Sequence, residues 1–191
     1  MFTLTENTRK IIHFSAVLVP VFCELTSKSV ILTALSIITA AYILQEILRL
    51  KGKSLPIITP FTLKLSRPEE RTGFIIRPVY LAIGIILTLI LFPRTIAYSS
   101  IWIGAIGDPV AAMVGMKFGR RRIFRLKTLE GFAAGLTTSF LAASLLVSPA
   151  IALIGSAGAM FVELLDVPDD NLTMPVAAGV LMTLATLALH Q

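Results

Sequence analysis

Asp108 is the only charged residue between Arg94 and Lys117. It sits in Gly107-Asp108-Pro109, deep in an apolar run. A carboxylate at such depth in a membrane helix costs at least about 2.5–3.5 kcal/mol on insertion scales, so it marks a pathway, a pairing or a reaction. Aspartate is a good helix cap and proline is tolerated at the first helical position. The spacing therefore predicts a break here, with a half-helix starting at Pro109 and Asp108 facing a hydrated, protein-lined cavity. The plain alternative is an aspartate that only caps or pairs.

Two charged segments complete the chemistry. Glu163-Leu-Leu-Asp166-Val-Pro-Asp169-Asp170-Asn171 holds four carboxylates and no cation. Lys117, Arg120, Arg121, Arg122, Arg125 and Lys127 crowd one short loop. Carboxylates hold a divalent cation, and Lys and Arg neutralise phosphates, so the two segments side by side are what a metal–nucleotide site requires. Thr128 can cap the next helix and leave its N–H groups and positive dipole end free for an anion. Glu130 falls in that helix's first turn, where the dipole alone favours a carboxylate. At the other end of the chain, Arg9, Lys10 and His13 share one helical face, which could meet phosphate. Gly52-Lys53-Ser54 imitates the end of a phosphate-binding loop, but the glycine required upstream is Ile47. No zinc spacing or Gly-x-Ser-x-Gly motif occurs.

These residues need elements that bring them to one place. About 20 residues cross a bilayer core as a helix. Apolar runs at 8–27, 29–48, 75–93, 95–116, 131–148, 150–165 and 173–190 predict an all-α, polytopic bundle of about seven spans, one integral membrane domain over 1–191. No charge occurs from Gly131 to Val162, too long a run for one crossing, and Ser148-Pro149 is its natural turn. Ala111, Gly115 and Gly119 recur every fourth residue, a face that admits a neighbouring helix closely. With these spans, all of the 17 Lys and Arg except Lys28 and Arg94 fall on one side. That asymmetry predicts a cytoplasmic N-terminus, with the basic loop and the acidic segment on the cytoplasmic face.

The composition excludes most alternatives. In 191 residues, 55% are hydrophobic and 15% charged, and mean hydropathy is +0.86; a soluble domain carries about 25% charged residues. The net charge of +6 then points to phosphates or anionic lipids, and not to nucleic acid. The single cysteine, Cys23, excludes an internal disulfide. Lys10 with the apolar run after it imitates a signal peptide, but no small-x-small cleavage site follows, so a retained first span is expected.

Together the pieces resemble the CTP-dependent lipid-alcohol kinase family: dolichol kinase, phytol kinase and the CTP-using diacylglycerol kinase. Four blocks carry the resemblance in the family's order. They are Arg9-Lys10-Ile-Ile-His13; Arg67-Pro-Glu69-Glu70-Arg71-Thr-Gly73; Gly107-Asp108-Pro-Val-Ala-Ala-Met-Val-Gly115-x-x-Phe-Gly119 through Lys127-Thr-Leu-Glu130-Gly131; and Glu163 with Asp169-Asp170-Asn171-Leu-Thr-Met-Pro175. Phosphatidate cytidylyltransferases share the Gly-Asp-like and Lys-Thr-x-Glu-Gly elements, but they end in a His-Gly-Gly…Asp-Arg pattern. Here Asp-Asp-Asn-Leu-Thr stands in its place, which favours the kinase branch.

The resemblance implies transfer of the γ-phosphate of CTP to a membrane lipid alcohol, dolichol or another polyprenol first among them, with Mg²⁺ or another divalent cation. Asp108, Asp170, Lys127 and Glu130 are the expected catalytic residues. Arg120, Arg121, Arg122, Arg125, Lys127, Thr128 and Asn171 are expected to bind nucleotide, and Asp108, Asp166 and Asp170 to hold metal. Arg9, Lys10, His13, Glu69 and Glu163 are further candidates. Cytidylyl transfer forming a CDP-lipid and phosphorylation of diacylglycerol are the alternative reactions. A small carrier is the non-enzymatic one, and it would need a polar path continuing to the outer side.

Overall fold

The computed structural model describes residues 4–53, 55–56, 58–66, 68–165 and 169–189. Among them the chain is almost entirely helical. Helix α1 (Leu4–Phe14) leads through a 3₁₀ turn (Ser15–Val17) into α2 (Leu18–Leu25), followed by α3 (Lys28–Leu50) and α4 (Ile58–Leu65). Then come α5 (Arg77–Leu91), α6 (Arg94–Phe118), α7 (Leu129–Ala143), α8 (Pro149–Leu164) and α9 (Asp170–Leu189). Three of these, α3, α6 and α9, are long and apolar enough to cross a membrane, and α5 and α8 are shorter apolar helices. Large apolar side chains such as Leu25, Ile37, Ile38, Leu145 and Leu187 stand exposed on the bundle surface. In water that surface would be a liability; against lipid it needs no cover.

Local chemistry sets the helix starts. The Ser27 hydroxyl accepts the Val30 N–H at 3.2 Å, and the Thr128 hydroxyl accepts that of Gly131 at 3.2 Å, each satisfying an orphan donor. Pro78 and Pro149 occupy first-turn positions of α5 and α8, where no N–H is missed. The turn at Ser148-Pro149 lies where the sequence placed it, although α7 already ends at Ala143.

Three expectations need correction. The first apolar segment, 8–27, is not one helix: α1 and α2 are separated by the 3₁₀ turn. Pro20 lacks the N–H that would bond the Ala16 carbonyl in a continuous helix, and the Trp102 indole N–H holds the bend by donating to the Val17 carbonyl at 3.1 Å. The break expected at Asp108-Pro109 does not occur, because α6 runs unbroken through both residues. Both are buried among α7, α8 and α9, and packed neighbours allow a helix to carry an internal proline. The all-α description also gains a two-stranded hairpin, β1 (Arg122–Phe124) against β2 (Lys127–Thr128), with Arg125 at φ 48° in its turn.

The core has two lobes around α6. Ile103 packs with Met160, Met174 and Met182 of α8 and α9. On its other side, Ile101 packs with Ile85 and Leu89 of α5 and with Ala16 and Cys23. Helices α6 and α7 approach closely along the small-residue face. A Cβ on Gly131 would lie 2.5 Å from the Ala111 carbonyl oxygen, and one on Gly135 would lie 2.9 Å from the Ala111 Cβ. This contact fixes the height of Asp108 relative to the hairpin.

Candidate functional site

Four elements converge on Asp108 of α6. Lys10 of α1 donates to both of its carboxylate oxygens, at 2.9 and 2.7 Å. His13, one turn further along α1, places Nδ1 3.1 Å from Oδ2. Asp108 is 6% exposed, and His13 is buried beside it. From α8 and α9, Glu163 and Asp170 bring their carboxylates to Asp108, so that one oxygen from each of the three lies within 4.8 Å of the others. Lys127, from the hairpin, pairs with Glu163 and stands 3.7 Å from Asp170.

Each element is held for a local reason. Asp169 caps α9, its Oδ1 accepting the Asn171 N–H at 3.0 Å, which turns Asp170 inward. Helix α5 lies so close that a Cβ on Gly84 would meet the Asn171 carbonyl oxygen at 2.5 Å. Lys127 projects from β2 immediately before the Thr128 cap. Glu130 accepts the backbone N–H groups of Arg120 and Arg121 at 3.1–3.3 Å, fastening the start of the hairpin to the first turn of α7.

Three carboxylates face two ammonium groups. Burial works against the Lys127 charge, but the bond to Glu163 and the fields of Glu163, Asp170 and Asp108 outweigh it and raise its pKa. Burial pushes the Asp169 carboxyl up, against the Asn171 N–H that favours its charged form. Among the described residues, Asp170 keeps one oxygen, Oδ1, buried without a hydrogen-bond partner. A buried carboxylate oxygen left bare beside two further carboxylates fits a divalent cation, for which Asp108, Glu163 and Asp170 are the available ligands.

The structure thus gathers Lys10, His13, Asp108, Lys127, Glu163 and Asp170 into one cluster, with Asn171 next to it. It leaves Arg120, Arg121, Arg122 and Arg125 exposed on and beside the hairpin, at the mouth of the site and outside the carboxylate cluster. Glu130 faces the hairpin backbone, and Thr128 is spent on its cap. Glu69 lies exposed on a 3₁₀ turn (Pro68–Glu70). Arg9 belongs to α1 beside Lys10. Asp166 and Arg67 lie outside the described residues.

A second polar cluster was not anticipated. Glu46, fully buried in α3, takes two hydrogen bonds from Arg49 at 2.9 and 2.8 Å and the Ile75 N–H at 3.0 Å. Arg49 also donates to the Arg71 and Gly73 carbonyls, and Gln45 donates to Thr59 of α4 at 3.2 Å. These bonds tie residues 71–75 and α4 to the end of α3. The signal was present as Gln45-Glu46 in an apolar run, with Arg49 three residues on.

A protein of Rickettsia prowazekii (strain Madrid E), described as uncharacterized protein RP860, is 33% identical over 117 residues, 60% of this chain. The chain spans 57% of that relative's length. No family model matches the chain, and no solved structure matches it.

Proposed function

We propose that this chain is a multi-pass membrane phosphotransferase that moves the γ-phosphate of CTP to the hydroxyl of a lipid alcohol, at the cytoplasmic face of the bilayer. The observation that carries the reading is the meeting of Asp108, Glu163 and Asp170 with Lys10 and Lys127 at one end of an apolar helical bundle. Seven crossings and a cytoplasmic N-terminus follow from the placement of Lys and Arg. The choice of CTP, and of a polyprenol among lipid alcohols, rests on the family resemblance.

Bound Mg²⁺ would supply positive charge against the charge that develops as the phosphoryl group moves. Asp108, Glu163 and Asp170 would hold it. The two lysines now occupy carboxylates that a metal–nucleotide complex would claim. Lys10 and Lys127 would then offer compact positive charges to phosphate oxygens. Exposed arginines 120, 121, 122 and 125 can draw the nucleotide to the mouth before it docks. The alcohol oxygen bonds to the γ-phosphorus as the bond from that phosphorus to the bridging oxygen breaks. CDP leaves, and Asp108 accepts the hydroxyl proton. Phosphoryl transfer asks chiefly for positioning and charge stabilisation, and these groups are of the type that supplies both.

Product analysis tests the reaction class. Purified protein in lipid nanodiscs, given Mg–CTP and a panel of prenols and diacylglycerol, should release CDP in step with consumption of a lipid alcohol. Release of pyrophosphate instead would assign cytidylyl transfer, and no nucleotide turnover with any alcohol would remove the enzyme reading.

A further inference from the structure

Helix α4 (Ile58–Leu65) is amphipathic in the reverse sense of a helix in water. Thr59 and Thr62, with Ser66 just beyond the helix, are its buried side. Ile58 and Phe61 are 48% and 58% exposed. The inward hydroxyls are in use. Thr59 accepts the Gln45 amide at 3.2 Å and the Leu55 N–H at 3.0 Å, and Ser66 donates to the Leu63 carbonyl at 3.0 Å. The Gln45–Thr59 bond also fixes a depth. Gln45 stands five residues before the end of α3, a helix long and apolar enough to cross a membrane. The bond therefore seats α4 roughly 8 Å back from that end. Leu44, Ile47 and Leu50 stand exposed on the same last turns of α3. At a length of about 12 Å, α4 itself is too short to cross. Lys51 and Lys53 after α3, and Lys64 one turn beyond Phe61, are exposed. Among the described residues their ammonium groups enter no ion pair.

We propose that α4 is an interfacial anchor for anionic phospholipid. It lies along the headgroup boundary of the bilayer, with Ile58 and Phe61 among the first acyl carbons and Lys51, Lys53 and Lys64 on lipid phosphates. Interfacial helices sink their apolar side about 5–10 Å into that boundary, and the seat beside Gln45 matches this depth. A lysine stem can lie along the apolar surface while its ammonium reaches the headgroups. Three ammonium groups without a carboxylate partner favour an anionic headgroup over a zwitterionic one. A protein partner would have to cover Leu44 and Ile47 as well, inside the bilayer, whereas lipid covers the whole patch at once. The polar inward side then serves to fasten the anchor to α3. Helix α1, which carries Lys10 to Asp108, also packs against α4, so the anchor steadies one wall of the carboxylate cluster. Its place in the interface is independent of which reaction that cluster performs.

Spin labels read the depth. Full-length protein with a Cys23→Ala background takes a nitroxide at Ile58→Cys, Phe61→Cys, Ile37→Cys or Arg122→Cys, in nanodiscs of phosphatidylcholine and phosphatidylglycerol. Access of oxygen and of a water-soluble nickel chelate is measured for each. The labels at 58 and 61 should fall between Ile37→Cys, exposed at mid-α3, and Arg122→Cys on the hairpin. Chelate access equal to that of the hairpin label puts α4 in water and overturns the proposal, and so does a depth equal to that of Ile37→Cys. Spin–spin broadening between copies at Phe61→Cys makes the face a protein contact and also overturns it. Native mass spectrometry reads the lipid. The protein should retain phosphatidylglycerol in preference to phosphatidylcholine, and that preference should fall at least ~5-fold when Lys51→Gln, Lys53→Gln and Lys64→Gln are combined. The combined variant is scored if it elutes as the wild type does on size exclusion. An unchanged preference overturns the assignment of these lysines to lipid phosphates.

Discussion

Lys10 holds Asp108 by both carboxylate oxygens across 98 positions of sequence, at 2.9 and 2.7 Å. The pair joins the first helix to the middle of the most buried one. It also gives Asp108 an ammonium of the protein's own, so a cation arriving there has to compete with Lys10.

That competition is measurable. Lys10→Met leaves the buried Asp108 carboxylate with only His13 beside it, which should destabilise the protein by about 3 kcal/mol. Millimolar Mg²⁺ or Mn²⁺ should recover much of that loss, and should raise the melting temperature of the variant more than that of the wild type. Thermal unfolding in detergent with and without the metal reads both. A variant that the metal stabilises less than it does the wild type would show that Lys10 and the cation do not share Asp108.

Asp108→Asn and Asp170→Asn should each reduce turnover by at least ~100-fold in folded protein, since each removes charge that the transferred phosphate needs held in place. Steady-state kinetics on variants that elute as the wild type does is the check. Near-normal turnover in Asp108→Asn would exclude it both as metal ligand and as proton acceptor.

Packing between α6 and α7 should be equally visible. A Cβ on Gly135 would sit 2.7 Å from Met160 Cε and 2.9 Å from the Gly107 carbonyl oxygen. Gly135→Val should therefore cost about 2 kcal/mol and lower turnover by displacing the neighbour of Asp108. Gly73→Ala, where nothing lies within 4 Å, should change neither. Thermal unfolding and turnover of the two variants decide it.

Sidedness can be read with single cysteines in a Cys23→Ala background. Lys53→Cys and Ser148→Cys, both exposed positions, should react with a membrane-impermeant maleimide from the cytoplasmic and the outer side respectively. Reaction of both from the same side would break the seven-span topology and separate the acidic segment from the basic loop.

The site was more legible in the sequence than the path of the chain was. Asp108 announced itself by the cost of a charge in an apolar run. The acidic segment and Lys127 could be paired because the spans expected from the sequence put nearly all the cations on one side. Thr128 caps α7 as its residue type and position indicate. Proline misled in both directions. Pro109 suggests a break with a half-helix starting there, but α6 runs unbroken through it. Pro20 passed as part of a span, yet the lost bond to Ala16 coincides with a bend. Arg49 stands three residues after Glu46 in the sequence, but the Ile75 N–H that completes the Glu46 cluster arrives only when residues 71–75 fold back on α3. The sequence points to Asp108, Asp166 and Asp170 as metal ligands, with Glu163 a further candidate, and Asp166 lies outside the described residues. On α8, Glu163 is the residue that the structure brings to Asp108 and Asp170.

The most direct test follows two labels from CTP into lipid. With Mg²⁺ and a prenol, wild-type protein should pass a γ-³²P label to the lipid and leave an α-³²P label in CDP, and Asp108→Asn should pass neither at a comparable rate. An α-³²P label in the lipid, with pyrophosphate accumulating, would contradict phosphoryl transfer and make the cluster a cytidylyltransferase site.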